Sequence, residues 1–251
     1  ALLAAVLLLA LAPGGAAGDA SGMVQPRSAP LGPDFRISGV PATAMDSQPA
    51  AAWNSNDDEY LVVWQDRRNL TTRSTDIYAQ LVSSGGTPLG LNFAISGPAA
   101  ISSDFMPAVA WNESRHEYLV VWQDGRNWQT TGPDIYGQRV SASGERLRGN
   151  FRITDDLATT DQAIAEQSQA SVAWNGDADE YLVVWMDRRN QYTSGSDIYG
   201  QRLSGAGERL GANLRISGTL ATSAEWSPAV AWNSQANDYL VVWSDERHRA
   251  T

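Results

Sequence analysis

Eleven residues recur four times in this chain. EYLVVWQDRRN begins at Glu59, EYLVVWQDGRN at Glu117, EYLVVWMDRRN at Glu180 and DYLVVWSDERH at Asp238. This repeat constrains the fold more than any other feature. One repeat is one supersecondary unit, and it buries its faces only against its neighbours. The beat extends past the eleven residues. Trp53, Trp111, Trp174 and Trp232 stand 58, 63 and 58 residues apart, and Phe35, Phe93, Phe151 and Leu214 keep the same step.

Each unit holds four short apolar runs. In the unit from Met106 they are PAVAW, EYLVVW, DIYGQRV and FRI. Val, Ile, Tyr and Trp dominate them, as in strands, and turn-forming clusters separate them. YLVVW is apolar at every position, which fits a strand with both faces buried. Four antiparallel strands per unit predict an all-β fold, a β-propeller of four-stranded antiparallel blades. Full blades are expected at 48–97, 106–154 and 168–218, with a partial blade at 227–251. DFRISG, from Asp34, reads as a lone fourth strand that completes the last blade of a ring. Residues 34–251 thus read as an incomplete ring, with partial blades at both ends and further blades expected beyond Thr251.

The segment before the repeats has a different character. ALLAAVLLLALAPGGAAGDA is an apolar run followed by small residues, the pattern of a secretory signal clipped at its start. Residues 1–20 are read as that signal and 21–33 as a linker, which places the mature chain outside the cell or in the periplasm. The run is shorter than the roughly 20 residues of a membrane span, and none is expected after cleavage. With no Cys, disulfides and thiol chemistry are excluded; with no Lys, so is a lysine nucleophile. A net charge of −10 argues against a nucleic-acid partner.

The unit resembles the TolB-type propeller repeats of bacterial exported proteins. The residues that carry the likeness are Pro107, Trp111, Asp124, Arg126, Asp134, Ile135, Tyr136 and Gly144. They recur as Pro49, Trp53, Asp66, Arg68, Asp76, Ile77, Tyr78 and Gly85. The first turn departs from the family in lacking Pro-Asp-Gly, and the segment between the two Asp is longer. The resemblance covers residues 34–251 and implies an exported propeller that binds other proteins. It implies no reaction.

The segment from Asp66 to Asp76 recurs at the same length from Asp124 to Asp134 and from Asp187 to Asp197. It joins the second and third strands. Asp46, Asp104, Glu166 and Glu225 precede the first strands. In a propeller both sets of connections emerge on one face, called here the loop face. Three readings of these residues stand side by side. Arg68, Arg126 and Arg189 pair with the loop Asp residues and tie the hairpins down. Alternatively, Asp and Asn oxygens hold calcium in each blade, although the Arg opposes that. Or paired carboxylates perform acid–base chemistry, as in sugar hydrolysis.

Residues that differ between blades point to a ligand. Trp128 stands where other blades have Leu70 and Gln191, and Tyr192 lies one step further on. Phe105 and Trp226 occupy matching places before the first strands. Exposed aromatics of this kind stack on sugars or anchor a protein. The segment 154–170 is five residues longer than its equivalents, with a short helix expected near Ile164. His116 and His248 lack partners for a zinc site or a triad. These observations lead to an exported, non-enzymatic binding or scaffold module for protein or glycan ligands, without a resident cofactor. The alternative is a sialidase-like or other glycan hydrolase that uses loop carboxylates.

Overall fold

The computed structural model describes residues 34–39, 45–69, 74–97, 103–155, 166–218 and 224–246. The signal, the linker, Leu70, His248 and the segment around Ile164 lie outside them. Blade 1 comprises β1 (Ser47–Asn54), β2 (Glu59–Asp66), β3 (Asp76–Ser83) and β4 (Pro88–Ala94). Blade 2 comprises β5 (Asp104–Asn112), β6 (Glu117–Asp124), β7 (Asp134–Ser141) and β8 (Arg146–Arg152). Blade 3 comprises β9 (Gln167–Asn175), β10 (Glu180–Asp187), β11 (Asp197–Ser204) and β12 (Arg209–Arg215). β13 (Glu225–Asn233) and β14 (Asp238–Asp245) form a two-stranded hairpin, the start of a fourth blade. Each sheet is antiparallel in chain order, and no described residue is helical. This is the all-β propeller architecture the repeat predicts. No helix among the described residues is long and apolar enough to cross a membrane.

The recurrent strand explains the packing. Every residue of β6 and β10 is buried. Alternation divides β6 between two neighbours. Tyr118, Val120 and Trp122 pack with Leu61, Val63 and Ile77 of blade 1. Leu119 and Val121 pack with Val183, Tyr181 and Trp185 of blade 3. A side-chain period of two sends successive residues to opposite faces, so a strand between two blades must be apolar throughout. β14 carries the same letters, yet Leu240 and Val242 are 65% and 52% exposed, because no described residue covers that side.

Two expectations are corrected. Residues 34–39 are irregular backbone rather than a strand. An outer strand pairs only with a third strand, and no described residue offers one here. Ile37 still packs on Val62, Trp64 and Val82. The turn glycine of blade 1 is Gly86, not Gly85. Gly86, Gly144 and Gly207 share φ values of 82°, 86° and 83°. A Cβ on Gly144 would also stand 3.0 Å from the Phe93 ring, so glycine is required there twice over.

The first strands β1, β5, β9 and β13 pack side by side and so surround the axis. Pro49, Pro107 and Pro228 stand inside three of them. A strand tolerates proline only at an edge or a bulge. Both apply: the register slips between Ser47 and Ala50, between Phe105 and Ala108, and between Trp226 and Ala229. At each slip the residue before the proline turns to positive φ: 52° at Gln48, 53° at Met106 and 52° at Ser227.

Candidate functional site

Backbone bonds define the loop face. Gly125 N–H donates to Ser103 O at 3.1 Å, Arg188 N–H to Glu166 O at 3.0 Å, and Glu225 N–H to Ser196 O at 3.0 Å. The first two tie a β2–β3-type loop to the segment that leads into the first strand of its own blade, and the third ties such a loop to the first strand of the next blade. Both sets of connections therefore share one end of the blades, as the sequence reading expects.

The recurrent Trp-x-Asp-x-Arg is a closed box. Trp122 Nε1 donates to Asp124 Oδ2 at 3.2 Å. Arg126 donates from its backbone N and its Nε to Asp124 Oδ1 at 2.9 and 2.8 Å, and from its second guanidinium nitrogen to Oδ2 at 2.6 Å. The Arg126 guanidinium lies 4.0 Å over the Tyr136 ring. Blade 1 repeats this with Trp64, Asp66, Arg68 and Tyr78, and blade 3 with Trp185, Asp187, Arg189 and Tyr199. Burial alone would raise the Asp66 carboxyl, but the bonds from Arg68 and Trp64 hold it below its ordinary value. Each Arg thus pairs with the first Asp of its own loop. Neither the second Asp nor the residue before the first strand is its partner. The second Asp serves the loop itself. Asn69, Asn127 and Asn190 donate to Asp76, Asp134 and Asp197 at 3.1, 2.8 and 3.0 Å. Arg152 and Arg215 add bonds to Asp134 and Asp197. Among the described residues no group of three or more His, Asp or Glu side chains is arranged to hold a metal ion.

A second set of carboxyls behaves differently. Asp104 faces Asp124 across the ladder, and Glu225 faces Asp245. Gln167 holds the same place against Asp187 in blade 3, so the acidic residue assigned there, Glu166, is one step off. Glu166 instead pairs with Arg188 near the surface. Asp46 takes this place in blade 1. Asp46, Asp104 and Glu225 are buried, and none has an ion pair among the described residues. Neither Asp104 oxygen makes a hydrogen bond within ordinary geometry. Burial, reinforced by the Asp124 charge, pushes Asp104 up to about 9; Ser96 and Arg126 oppose this only in part. Asp104 therefore carries its proton at neutral pH. Asp46 is raised as well, first by burial.

Two residues deeper along the first strands lies an open cavity of about 380 Å³ on the axis. Gln48, Met106, Gln169 and Ser227 line it, with Pro49, Pro107, Ala170 and Pro228 beside them. Gln48 Oε1 accepts from Met106 N at 3.1 Å, and Gln169 Oε1 accepts from Ser227 N at 2.7 Å. These glutamines satisfy the bulge amides of the next blade. The sequence reading missed this ring; the signal that could have found it was proline inside a strand.

The blade-specific aromatics divide into two pairs. Trp128 and Tyr192 stand 53% and 81% exposed on the loop tips of blades 2 and 3. Phe105 and Trp226 are half-buried on the first strands β5 and β13, within the bulged stretch.

No protein-family model matches the chain, and no curated sequence does. Solved structures do match. The α-L-arabinanase of Penicillium chrysogenum superimposes with TM-score 0.54 at 13% identity, over 78% of this chain and 58% of that one. The GH93 α-L-arabinofuranosidase of Fusarium graminearum gives 0.53 at 16%, over 78% and 58%. An N-acetylgalactosamine deacetylase of F. plautii gives 0.54 at 10%, over 80% and 63%. This chain thus spans less than two thirds of each. At these identities the shared property is the propeller fold. The likenesses nonetheless correct the expectation of a non-enzymatic scaffold. Propellers of this shape include arabinanases and an arabinofuranosidase, which favours the glycan-hydrolase alternative.

Proposed function

We propose that the chain is the propeller part of an exported glycan hydrolase, with substrate bound on the loop face over the axial cavity. The observation that carries this is the set of first-strand carboxyls, Asp46, Asp104 and Glu225, none of which pairs with an arginine among the described residues. Glycoside hydrolysis needs one carboxyl kept protonated as general acid and another ionised as base or nucleophile. The box residues Asp66, Asp124 and Asp187 do not serve, since Arg and Trp engage their oxygens. Asp104 is assigned as the acid, because burial keeps its proton on at neutral pH. Asp46 and Glu225 are the candidates for the second role. Shielding from water in the free chain is what raises an acid of this kind, and catalytic contacts tighten only with substrate in place. The cavity of about 380 Å³ falls within the range of small-ligand sites, roughly 300–1,000 Å³.

The test is release of reducing sugar from arabinan, β-1,3-galactan and other neutral and acidic polysaccharides. Asp104→Asn is expected to lower turnover by about 10²–10⁴-fold, the usual share of general acid catalysis, while the circular dichroism stays unchanged. A chain that cleaves none of the panel, or an Asp104→Asn variant as active as the parent, overturns the assignment.

A further inference from the structure

Trp128 is the most exposed tryptophan among the described residues, and Tyr192 the most exposed tyrosine. Neither side chain belongs to the buried core clusters. Both stand on equivalent loops of adjacent blades, on the same face. Hydrogen bonds close both loops into turns. Thr130, Thr131 and Gly132 donate their backbone N–H groups to Asn127 O at 2.9, 3.0 and 3.1 Å. Thr193 and Ser194 do the same to Asn190 O at 2.9 Å each. The Asn127 and Asn190 side chains pin the loop bases to Asp134 and Asp197. An aromatic ring on such a turn loses little conformational freedom when it binds.

The neighbours of each ring decide the ligand. The two tip positions read Trp128-Gln129 in blade 2 and Gln191-Tyr192 in blade 3. Each tip thus offers one flat ring and one amide, in opposite order. Thr130 and Thr193 follow, and no tip residue from 128 to 131 or from 191 to 193 is charged. A flat apolar face beside uncharged donors and acceptors suits a ligand with an apolar C–H face rimmed by hydroxyls. That ligand is a neutral sugar. Nucleotides and acidic glycans would need a cation at the tip. A protein partner would call for a larger contiguous apolar area than two isolated rings.

We propose that Trp128 and Tyr192 form a two-point stacking platform for a neutral polysaccharide chain. The chain crosses the rim of blades 2 and 3 on its way to the axial site. This inference rests on the glycan reading above and adds a chain-length preference to it. Polymers reach the platform and the axis together, whereas short oligosaccharides reach the axis alone.

The experiment compares the parent chain with Trp128→Ala, Tyr192→Ala and the double variant. Affinity electrophoresis in gels of neutral and acidic polysaccharide reads binding. The KM and kcat for polymer and for a disaccharide read its consequence. Each single change is expected to weaken polymer binding about tenfold and the double change about a hundredfold. Disaccharide kinetics and the kcat on polymer are expected to stay unchanged. The surface changes leave melting temperatures in place, which separates lost binding from lost fold. If the parent binds or cleaves the polymer and all three variants match it, the platform is overturned and the hydrolase reading stands. If the parent binds no polysaccharide at all, both fall. Stronger retention by acidic than by neutral gels would overturn the choice of ligand.

Discussion

The Asp of the Trp–Asp–Arg–Tyr box should be worth different amounts in different blades. The perturbation is Asp→Asn, which keeps volume and an acceptor for the Trp N–H but removes the charge. Two effects compete. Arg68 makes both Nε and terminal nitrogen bonds to Asp66. Arg189 makes only the terminal one to Asp187, and its Nε is without a partner. By bond count blade 1 should lose more. Burial points the other way. The Arg189 side chain is 9% exposed, whereas that of Arg68 is 35% exposed. Losing the anion in blade 3 leaves a cation stranded in a dry place, which costs about 4 kcal/mol. In blade 1 the stranded cation swings into water, and the loss is about 2 kcal/mol. Burial therefore wins.

The assay is urea unfolding of Asp187→Asn and Asp66→Asn, followed by Trp fluorescence. A double-mutant cycle with Arg189→Gln and Arg68→Gln separates the pair from its surroundings. Constant m-values would show that the transition stays cooperative. Equal losses, or a larger loss in blade 1, would refute the argument that the stranded charge decides the cost.

Two further outcomes follow from the same geometry. Trp122 is fully buried between blades 1 and 2, so Trp122→Ala should cost about 3–5 kcal/mol in the same assay; a loss under about 1 kcal/mol would mean that the junction re-packs. Asp104 is protonated in the folded chain up to about pH 9 but ionises near 3.8 when unfolded. Its stabilising share is complete below the lower value and lost as pH rises towards the upper one. The groups that face it are Asp124, Asp76, Arg126 and Ser96. Asp104→Asn should flatten the fall in unfolding free energy between about pH 5 and 8, and an unchanged slope would contradict the buried-acid picture.

The fold was legible because packing repeats. A strand that must be apolar on both faces writes itself as YLVVW, and four copies at a fixed beat leave few architectures. The loop box was half legible. Constant spacing drew attention to Asp66, Arg68 and Asp76, but spacing alone could not say which Asp the Arg takes. A side chain reaching back two residues meets an anion already fixed by the Trp N–H, and that bond is visible only in three dimensions. Gln80, Gln138 and Gln201 were passed over as ordinary strand residues. Each donates to carbonyls of its own and the outer strand, as Gln80 does to Leu89 O at 2.8 Å. Trp53 shows the limit of repeat logic. Its counterpart Trp111 is buried and bonded to Asn56 of the preceding blade, whereas Trp53 is 41% exposed. Identical letters differ in burial when the neighbour differs.

The same comparison of blades separates structure from function. Where a position serves the blade's own architecture, the blades agree, as at Trp64, Trp122 and Trp185, which are buried and donate to the box Asp. At the loop-face end of the first strands they disagree: Asp46, Asp104, Gln167 and Glu225. A hydrogen-bonding role alone would accept one residue type throughout. The variation leaves three ionisable groups and one that cannot ionise. Gln167→Glu tests whether the four places are equivalent. Gln167 is 5% exposed and faces Asp187 across the ladder, as Asp104 faces Asp124. The new carboxyl would be buried beside an anion that Arg189 already neutralises, so it should keep its proton, as Asp104 does. The folded state then binds a proton that the unfolded chain releases above roughly pH 4. Stability should fall by up to about 1.4 kcal/mol for each pH unit from there towards the folded value. Unfolding curves at mildly acidic and mildly alkaline pH would show Gln167→Glu near the parent in the first and well below it in the second. If the variant tracks the parent at both, the Gln167 site is not the counterpart of Asp104, and the ring of first-strand carboxyls is not a ring.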